Sequence, residues 1–92
     1  MSKVRAYVLI SGRVQGVFFR SSAREQAYRL RVNGWIRNRW DGQVEAVFEG
    51  EEEDVLKMIE WCHKGPPGAL VEDVKVRWEE YKGEFNTFFI RY

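Results

Sequence analysis

Cysteine and histidine are scarce in this chain of 92 residues, and their scarcity excludes several kinds of site. The single cysteine, Cys62, cannot form an internal disulfide, and one histidine leaves no zinc-binding spacing. The first ten residues alternate charged and apolar side chains, which indicates neither a signal peptide nor a membrane span. We therefore expect a cytoplasmic protein that has no structural zinc site and does not associate with membranes.

Apolar and aromatic residues, in contrast, are abundant: 45% of the chain is hydrophobic and 15% is aromatic. A domain of this size buries only about 60% of the surface that its unfolded chain exposes, so most of these residues are needed for one core. We expect residues 1–92 to form a single domain. The many Glu and Arg residues, against three Asn and three Gln, are typical of thermophilic proteins.

Positive charge is concentrated in the first part of the chain. Residues 1–40 hold nine Lys or Arg and one acid, whereas residues 41–92 hold six Lys or Arg and thirteen acids. One interpretation is that the first part binds an anionic ligand. Alternatively, the two parts attract each other or form solvated faces, and the charge distribution alone does not decide between these interpretations.

Alternating apolar residues predict strands, and Asp41-Gly42 predicts a hairpin turn between two of them. A helical spacing of apolar residues predicts two helices. The first ends at Asn33-Gly34, and the second has the acidic residues 51–54 at its N-terminus and ends before Gly65. The predicted strands cover residues 3–11, residues 35–39, a segment around residues 44–48 that Gly50 closes, a segment around residues 74–78, and a short strand within residues 87–92. The predicted apolar stripes are Phe19, Ala23, Ala27 and Leu30 on the first helix, over residues 19–31, and Val55, Met58, Ile59 and Cys62 on the second.

The resulting element order is βαββαβ, with a short extra strand near the end. Two βαβ-like halves joined by a central hairpin predict a ferredoxin-like α+β sandwich, in which an antiparallel sheet carries both helices on one face. Many unrelated functions share this fold, so the function has to be inferred from the site.

The loop between the first strand and the first helix, residues 11–20 (SGRVQGVFFR), has the composition of an anion site. Gly12 and Gly16 permit positive φ, so successive backbone N–H groups can turn inward at the positive end of the helix. The N–H groups expected to face the anion are those of Val14, Gln15, Gly16, Val17 and Phe18.

Arg20 strengthens this prediction. A cation in the first turn of a helix opposes the helix dipole at a cost of roughly 0.3–1 kcal/mol. An anion bound between the loop and the guanidinium reverses that cost and receives a bidentate hydrogen bond. The alternative is that Arg20 is an exposed helix residue pointing into water.

Asn38 ends the second predicted strand, just before the hairpin turn. In a ferredoxin-like sheet the loop after the first strand can lie near this point. A carboxamide there can orient a water molecule toward a bound phosphorus, because it offers both an acceptor and donors. Asn is also an ordinary residue near turns, so this role stays an alternative at this stage.

Two segments together, GRVQGVFFR at residues 12–20 and GWIRNRWDGQV at residues 34–44, resemble the paired signature of acylphosphatases. The resemblance covers essentially the whole chain, including GPPGALVEDV and the final FFIRY, and points to a small, stand-alone, prokaryotic member. It implies hydrolysis of an acyl phosphate to a carboxylate and inorganic phosphate, without metal or cofactor. Trp40 stands where a smaller turn residue is expected, which affects the shape of the turn and not the chemistry.

The resemblance also implies a role for each candidate residue. The amides of residues 14–18 hold the phosphoryl group, Arg20 binds the substrate and Asn38 positions the attacking water. The substrate is a small molecule, inorganic phosphate is a product and a competitive inhibitor, and the protein acts as a monomer.

No side chain in the sequence is expected to act as a nucleophile. Ser21 and Ser22 lack a neighbouring base, Cys62 lies on a core stripe, and His63 is far along the chain from the loop. The expected mechanism is therefore direct, in-line attack of water on phosphorus, with fixed amides and Arg20 stabilising the transition state.

Three other functions remain open on the sequence alone. A nucleic-acid-binding module of the same topology fits the aromatic residues and the basic first part, although the third strand (QVEAVFEG) carries acids and no aromatic RNA-binding run. A relative of the acylphosphatase-like domain of hydrogenase maturation factors, which handle carbamoyl phosphate, is a second. A ligand-sensing module is a third.

Overall fold

The computed structural model describes residues 2–92, in which five strands and two helices follow one another. Their bounds are β1 (Lys3–Arg13), α1 (Phe19–Leu30), β2 (Asn33–Asn38), β3 (Val44–Glu51), α2 (Glu52–Lys64), β4 (Leu70–Glu79) and β5 (Phe88–Ile90). This is the predicted βαββαβ order with a short additional strand.

The strands form one sheet in the order β4-β1-β3-β2-β5. The pairs β1–β3, β1–β4 and β2–β3 are antiparallel, whereas β5 runs parallel to β2. β5 has this direction because residues 80–87 cross the sheet at the end where β4 stops, so β5 starts there and runs with β2. The predicted ferredoxin-like fold is confirmed, and the short β5 is the one strand of residues 2–92 that departs from an antiparallel arrangement.

Both helices pack on the sheet through the predicted apolar stripes. α1 lies against β2 and β5, and α2 lies against β1, β3 and β4. Between the helices, the rings of Phe19 and Trp61 meet edge to face at 5.2 Å. Leu30, at the end of the first stripe, is only partly buried. The stripe residues that are buried are Phe19, Ala23 and Ala27 on α1, and Val55, Met58, Ile59 and Cys62 on α2.

Several strands are longer than the sequence pattern predicts: β4 begins at Leu70 and not near residue 74, and β2 begins at Asn33 and not at residue 35, although it ends at Asn38. β1 continues past Ser11 to Arg13, because its last residues pair with the start of β4 after an irregularity between Ser11 and Gly12. β3 does not end at Gly50, which pairs with Val4 and is followed by one more strand residue. Pairing with a neighbouring strand thus extends β1 and β3 beyond their alternating apolar residues.

α1 also ends earlier than predicted. Arg31, not Asn33-Gly34, adopts the left-handed conformation after the helix, with φ of 58°. The N–H of Val32 donates to the carbonyl of Ala27 at 2.9 Å, a hydrogen bond that closes the helix end. Within residues 2–92, no helix has both the length and the apolar character that crossing a membrane requires.

On the face of the sheet opposite the helices, Glu49 anchors the connection between β4 and β5. Its carboxylate is buried and accepts hydrogen bonds from the guanidinium of Arg5 at 3.1 Å and from three backbone N–H groups. Those N–H groups belong to Lys82, Gly83 and Glu84, at 3.0–3.2 Å. A buried carboxylate with this many partners fixes the path of residues 80–87 across the sheet.

Candidate active site

The ends of three strands meet at one end of the sheet. β1 and β2 run in the same direction because both are antiparallel to β3, and β5 runs with them because it is parallel to β2. The loop after β1, the residue Asn38 that ends β2 and the residues after β5 therefore lie at the same end. The fold thus brings together segments that are far apart in the sequence.

These strand ends enclose an open cleft of about 460 Å³. Gln15 and Val17 do not line it with their side chains, although both belong to the loop that borders it; Val17 packs against the core instead. The lining residues are Val14, Gly16, Phe18, Phe19, Arg20, Ser21, Arg24, Asn38, Ile90 and Tyr92. Arg20 and Asn38, the two side chains singled out in the sequence, therefore face the same space.

The loop that precedes α1 leaves its backbone donors without partners. Gly16 and Phe18 both have positive φ, 75° and 63°, which turns the backbone sharply before the helix. Within residues 2–92, no hydrogen bond is donated by the backbone N–H groups of residues 15–18. Unpaired N–H groups beside a helix N-terminus are the donors that an anion uses.

Arg20 lies in the first turn of α1, where the helix dipole is not compensated. This turn contains no acidic residue, and the residue before the helix, Phe18, provides no side-chain cap. Arg20 is half-buried, and the central carbon of its guanidinium lies 5.3 Å from the centre of the Tyr92 ring. The cation and the free helix N-terminus therefore both favour a negatively charged ligand in the cleft.

Asn38 lines the cleft, and its side chain contains an acceptor without a partner. Its side-chain oxygen Oδ1 is buried and has no hydrogen-bond partner among residues 2–92. A buried carbonyl oxygen without a partner costs on the order of 1–3 kcal/mol, so a water molecule or ligand group in the cleft would stabilise it. The position fits a residue that accepts a hydrogen bond from bound water.

Gln15 contributes in a way that the sequence did not reveal. Its side-chain amide donates to the carbonyls of Arg39 and Gln43, at 2.7 and 2.9 Å. Because these carbonyls flank the turn between β2 and β3, Gln15 fastens the loop to the hairpin that carries Asn38. No sequence signal points to this contact, since the partners lie 24 and 28 residues away.

The hairpin turn itself is held by Asp41. The hydrogen bond from the Arg39 guanidinium, and then that from the Gln43 N–H, lower the pKa of Asp41 below its usual value. Trp40 at the tip is 93% exposed and is not among the residues that line the cleft. The turn is thus well defined, and the large side chain at its tip leaves the cleft open.

The cleft offers no side-chain nucleophile with a base beside it. Ser21 lines the cleft, but its hydroxyl donates to the carbonyl of Phe18 at 3.3 Å. Cys62 is fully buried in the core, and burial raises the pKa of its thiol strongly. His63 lies in the last turn of α2 and does not line the cleft.

The charge of the lining distinguishes this cleft from other hollows on the surface. Arg20 and Arg24 line it, and no Asp, Glu or His side chain does. A larger hollow of about 680 Å³ lies over the start of α2, but it is lined by the acids at residues 51–54 and Glu60. An anionic ligand is therefore attracted to the first cleft and repelled from the second.

The amino-acid sequence matches the family model described as acylphosphatase over residues 6–90. The chain belongs to the acylphosphatase family. An acylphosphatase of Pyrobaculum arsenaticum is 63% identical over 91 residues, which cover 98% of this chain and 96% of the relative. The matched relatives include prokaryotic and thermophilic species.

Solved structures place the fold in the same family. The acylphosphatase from Coxiella burnetii superposes with a TM-score of 0.92 at 37% identity, covering 97% of this chain and 93% of that one. Full-length HypF, solved in a phosphate- and nucleotide-bound form, superposes with a TM-score of 0.85 at 26% identity. The match covers 98% of this chain but only 12% of HypF, so the similarity is to a small part of a much longer protein.

Proposed function

We propose that this acylphosphatase hydrolyses acyl phosphates to a carboxylate and inorganic phosphate at the cleft between α1 and the end of β2. The observation that carries the proposal is the meeting of Arg20, the loop with unpaired amides and Asn38, whose Oδ1 has no partner, around one cleft. The first two suit a phosphoryl group, and the third suits the water that attacks it.

The substrate's phosphoryl group binds against the loop. The N–H groups of residues 14–18 donate to its oxygens, and the guanidinium of Arg20 forms a bidentate pair with them. In the transition state, negative charge spreads over these oxygens, so fixed donors stabilise it more than they stabilise the bound substrate. A single donor of this kind contributes about a hundredfold to a thousandfold in kcat.

Asn38 holds the attacking water. Its Oδ1 accepts a hydrogen bond from the water, which places the water oxygen in line with the phosphorus and the leaving carboxylate oxygen. A bond forms between the water oxygen and phosphorus while the bond between phosphorus and the acyl oxygen breaks. The electron pair of that bond leaves with the carboxylate.

The proton of the attacking water goes to an oxygen of the phosphoryl group. An amide is too weak a base to accept it, and no Asp, Glu or His side chain lines the cleft. The dianionic acyl phosphate and water thus become one carboxylate anion and one dihydrogen phosphate anion. Arg20 and the amides supply the positive charge, so the proposed mechanism requires no metal ion and no other cofactor.

The proposal also covers inhibition by the product, the oligomeric state and the location in the cell. Inorganic phosphate is a product that fits the same donors, so it inhibits competitively with the acyl phosphate. A single domain over residues 1–92 acts as a monomer, because one chain supplies every group named above. We place the protein in the cytoplasm, where its lone thiol at Cys62 stays reduced.

Hydrolysis of benzoyl phosphate tests the proposal. We expect the protein to release inorganic phosphate from benzoyl phosphate at the same rate with and without EDTA. Loss of activity in EDTA that added metal restores would contradict the mechanism without metal. No release of phosphate above the spontaneous rate, with other acyl phosphates as well, would contradict the function itself.

The contacts of the aromatic residues favour this function over a nucleic-acid-binding module. Bases would have to stack on Tyr7 and Trp35 on the sheet face that carries no helices. The guanidinium of Arg77 already lies 4.5 Å from the centre of the Tyr7 ring, and that of Arg91 lies 4.3 Å from the centre of the Trp35 ring. Salt-sensitive RNA binding without acyl phosphate hydrolysis would favour the module instead.

A preference for carbamoyl phosphate is the second alternative, and the similarity to HypF is the reason to test it. The relative rates of hydrolysis of carbamoyl phosphate and benzoyl phosphate distinguish this alternative from the proposed function. We expect benzoyl phosphate to be the better substrate, because exposed aromatic residues, Phe18 and Tyr92, border the cleft. A strong preference for carbamoyl phosphate would instead support the alternative, in which carbamoyl phosphate is the substrate.

A further inference from the structure

The cleft is larger than a phosphoryl group requires, and its lining changes from the inside to the rim. About 460 Å³ is enough to hold a small molecule, not only its phosphoryl end. Arg20, in the first turn of α1, is half-buried, whereas Arg24, one turn later, is exposed. The two lie on the same face of the helix, about 6 Å apart along its axis.

Arg24 has no charged partner within residues 2–92. The neighbouring acid on α1, Glu25, instead pairs with Arg29 at 2.8 Å. The remaining ion pairs of the described chain involve other residues. Arg24 thus brings to the rim of the cleft a positive charge that the protein itself does not neutralise.

No Asp or Glu side chain in the cleft lining opposes this charge. The rim residues Phe18 and Tyr92 are aromatic and almost fully exposed, and no acidic residue lines the cleft. A substrate held by its phosphoryl group at Arg20 therefore extends its acyl group past two aromatic rings and a free guanidinium. A carboxylate or phosphate on that acyl group would pair with Arg24.

We infer that Arg24 determines substrate specificity, and that it favours acyl phosphates whose acyl group carries a second negative charge. The inference rests on the proposed function, because it assumes that the phosphoryl group occupies the site of Arg20. The second anion pairs at an exposed position, so its effect is moderate, about threefold to fivefold. A neutral acyl group of the same shape gains nothing from Arg24.

Two substrates of the same size test the inference. 4-Carboxybenzoyl phosphate has the second charge, and 4-carbamoylbenzoyl phosphate replaces it with a neutral amide; the rigid ring prevents either group from attacking the anhydride. The quantity measured is the ratio of kcat/KM for the charged and the neutral substrate. We expect Arg24→Gln to lower this ratio about threefold to fivefold, and Arg24→Glu to lower it by about tenfold or more.

A variant of the same helix provides the control. Arg29→Gln also removes one positive charge from α1, but Arg29 does not line the cleft. We expect this variant to keep the ratio of the unmodified protein. Added salt should reduce the ratio of the unmodified protein toward that of Arg24→Gln, because an exposed ion pair is screened.

The outcomes separate this inference from the proposed function. Hydrolysis of both substrates with a ratio that is the same in the unmodified protein, Arg24→Gln and Arg24→Glu would overturn the role of Arg24 and leave the function intact. An equal loss with both substrates would also overturn it, since Arg24 would then bind the phosphoryl group. Failure to hydrolyse either substrate would overturn the proposed function, and the inference with it.

Discussion

The N-termini of the two helices are built in opposite ways. The first turn of α2 contains three acids, at residues 52–54, and its first N–H, that of Glu52, donates to the carbonyl of Ser2 at 2.9 Å. The first turn of α1 contains no acid, and it carries Arg20. The loop before α1 keeps its N–H groups unpaired, whereas α2 follows β3 directly.

We propose that this difference separates a helix end that stabilises the fold from one that binds a ligand. The acids of α2 compensate the helix dipole, at about 0.3–1 kcal/mol each, and they also repel anions from that surface. α1 gives up this stabilisation and adds a cation, so its N-terminus reaches its full stability only with an anion bound. Both helices pack on the same sheet. The difference between their N-termini therefore lies in their first turns and in the loops before them.

Apart from the loss of Arg20, removal of the Asn38 carboxamide is expected to have the largest effect on catalysis. Asn38→Ala should lower kcat by on the order of a hundredfold with benzoyl phosphate, because the water loses its orientation while the phosphoryl donors of α1 remain. Its affinity for inorganic phosphate should change little. Asn33→Ala removes the same group at the other end of β2 and serves as the control; an equal loss in both variants would contradict the role of Asn38.

Removal of the Gln15 side chain should have a smaller effect. In Gln15→Ala the carbonyls of Arg39 and Gln43 lose their donor, so the loop before α1 moves relative to Asn38. We expect kcat to fall about tenfold and the free energy of unfolding to fall by about 1 kcal/mol. Kinetics and urea denaturation check this, and a variant with the expected loss of stability but unchanged kcat would make Gln15 purely structural.

An acid placed in the first turn of α1 makes this helix resemble α2. Ser21→Asp should raise the free energy of unfolding by about 0.3–1 kcal/mol in the absence of phosphate, and it should weaken phosphate binding several-fold. Ser21→Asn, which is similar in shape and uncharged, is the control. Tighter phosphate binding in Ser21→Asp would show that anion binding at the start of α1 does not require a first turn without acidic residues.

The smallest effect is expected when an acid is removed from α2. Glu52→Gln should lower the free energy of unfolding by about 0.3–1 kcal/mol and leave kcat/KM for benzoyl phosphate unchanged. The decrease should shrink at high salt, because the interaction of an exposed charge with the dipole is screened. Phosphate binding weakened in Glu52→Gln as much as in Ser21→Asp would mean that the two helix ends do not differ as described.

Much of this fold could be predicted from local patterns. The stripe of Val55, Met58, Ile59 and Cys62 is fully buried as expected, because a helix that packs on a sheet needs one apolar face. The direction of β5 depends on a connection across the sheet, which no local pattern describes. The end of α1 could not be predicted because Arg31 adopts a conformation that Asn or Gly usually takes.

The site could be predicted as far as its residue types and motifs allow. Arg20 and Asn38 stand in segments with a recognisable signature, and the topology brings both to one cleft. Gln15 was expected to act through its N–H alone, and its side-chain contacts depend on the position of a distant hairpin. The left-handed conformation of Phe18 could not be predicted either, since only the glycines of the loop suggest positive φ.

The most direct test of the contrast between the two helix ends is the affinity for inorganic phosphate, measured by titration calorimetry at constant ionic strength. Arg20→Gln should bind phosphate about 10-fold to 100-fold more weakly than the unmodified protein, because a charge-assisted hydrogen bond is lost. Arg29→Gln, which removes the same charge from the far end of α1, should bind it with unchanged affinity. Equal affinity in Arg20→Gln and the unmodified protein would contradict an anion site at the start of α1.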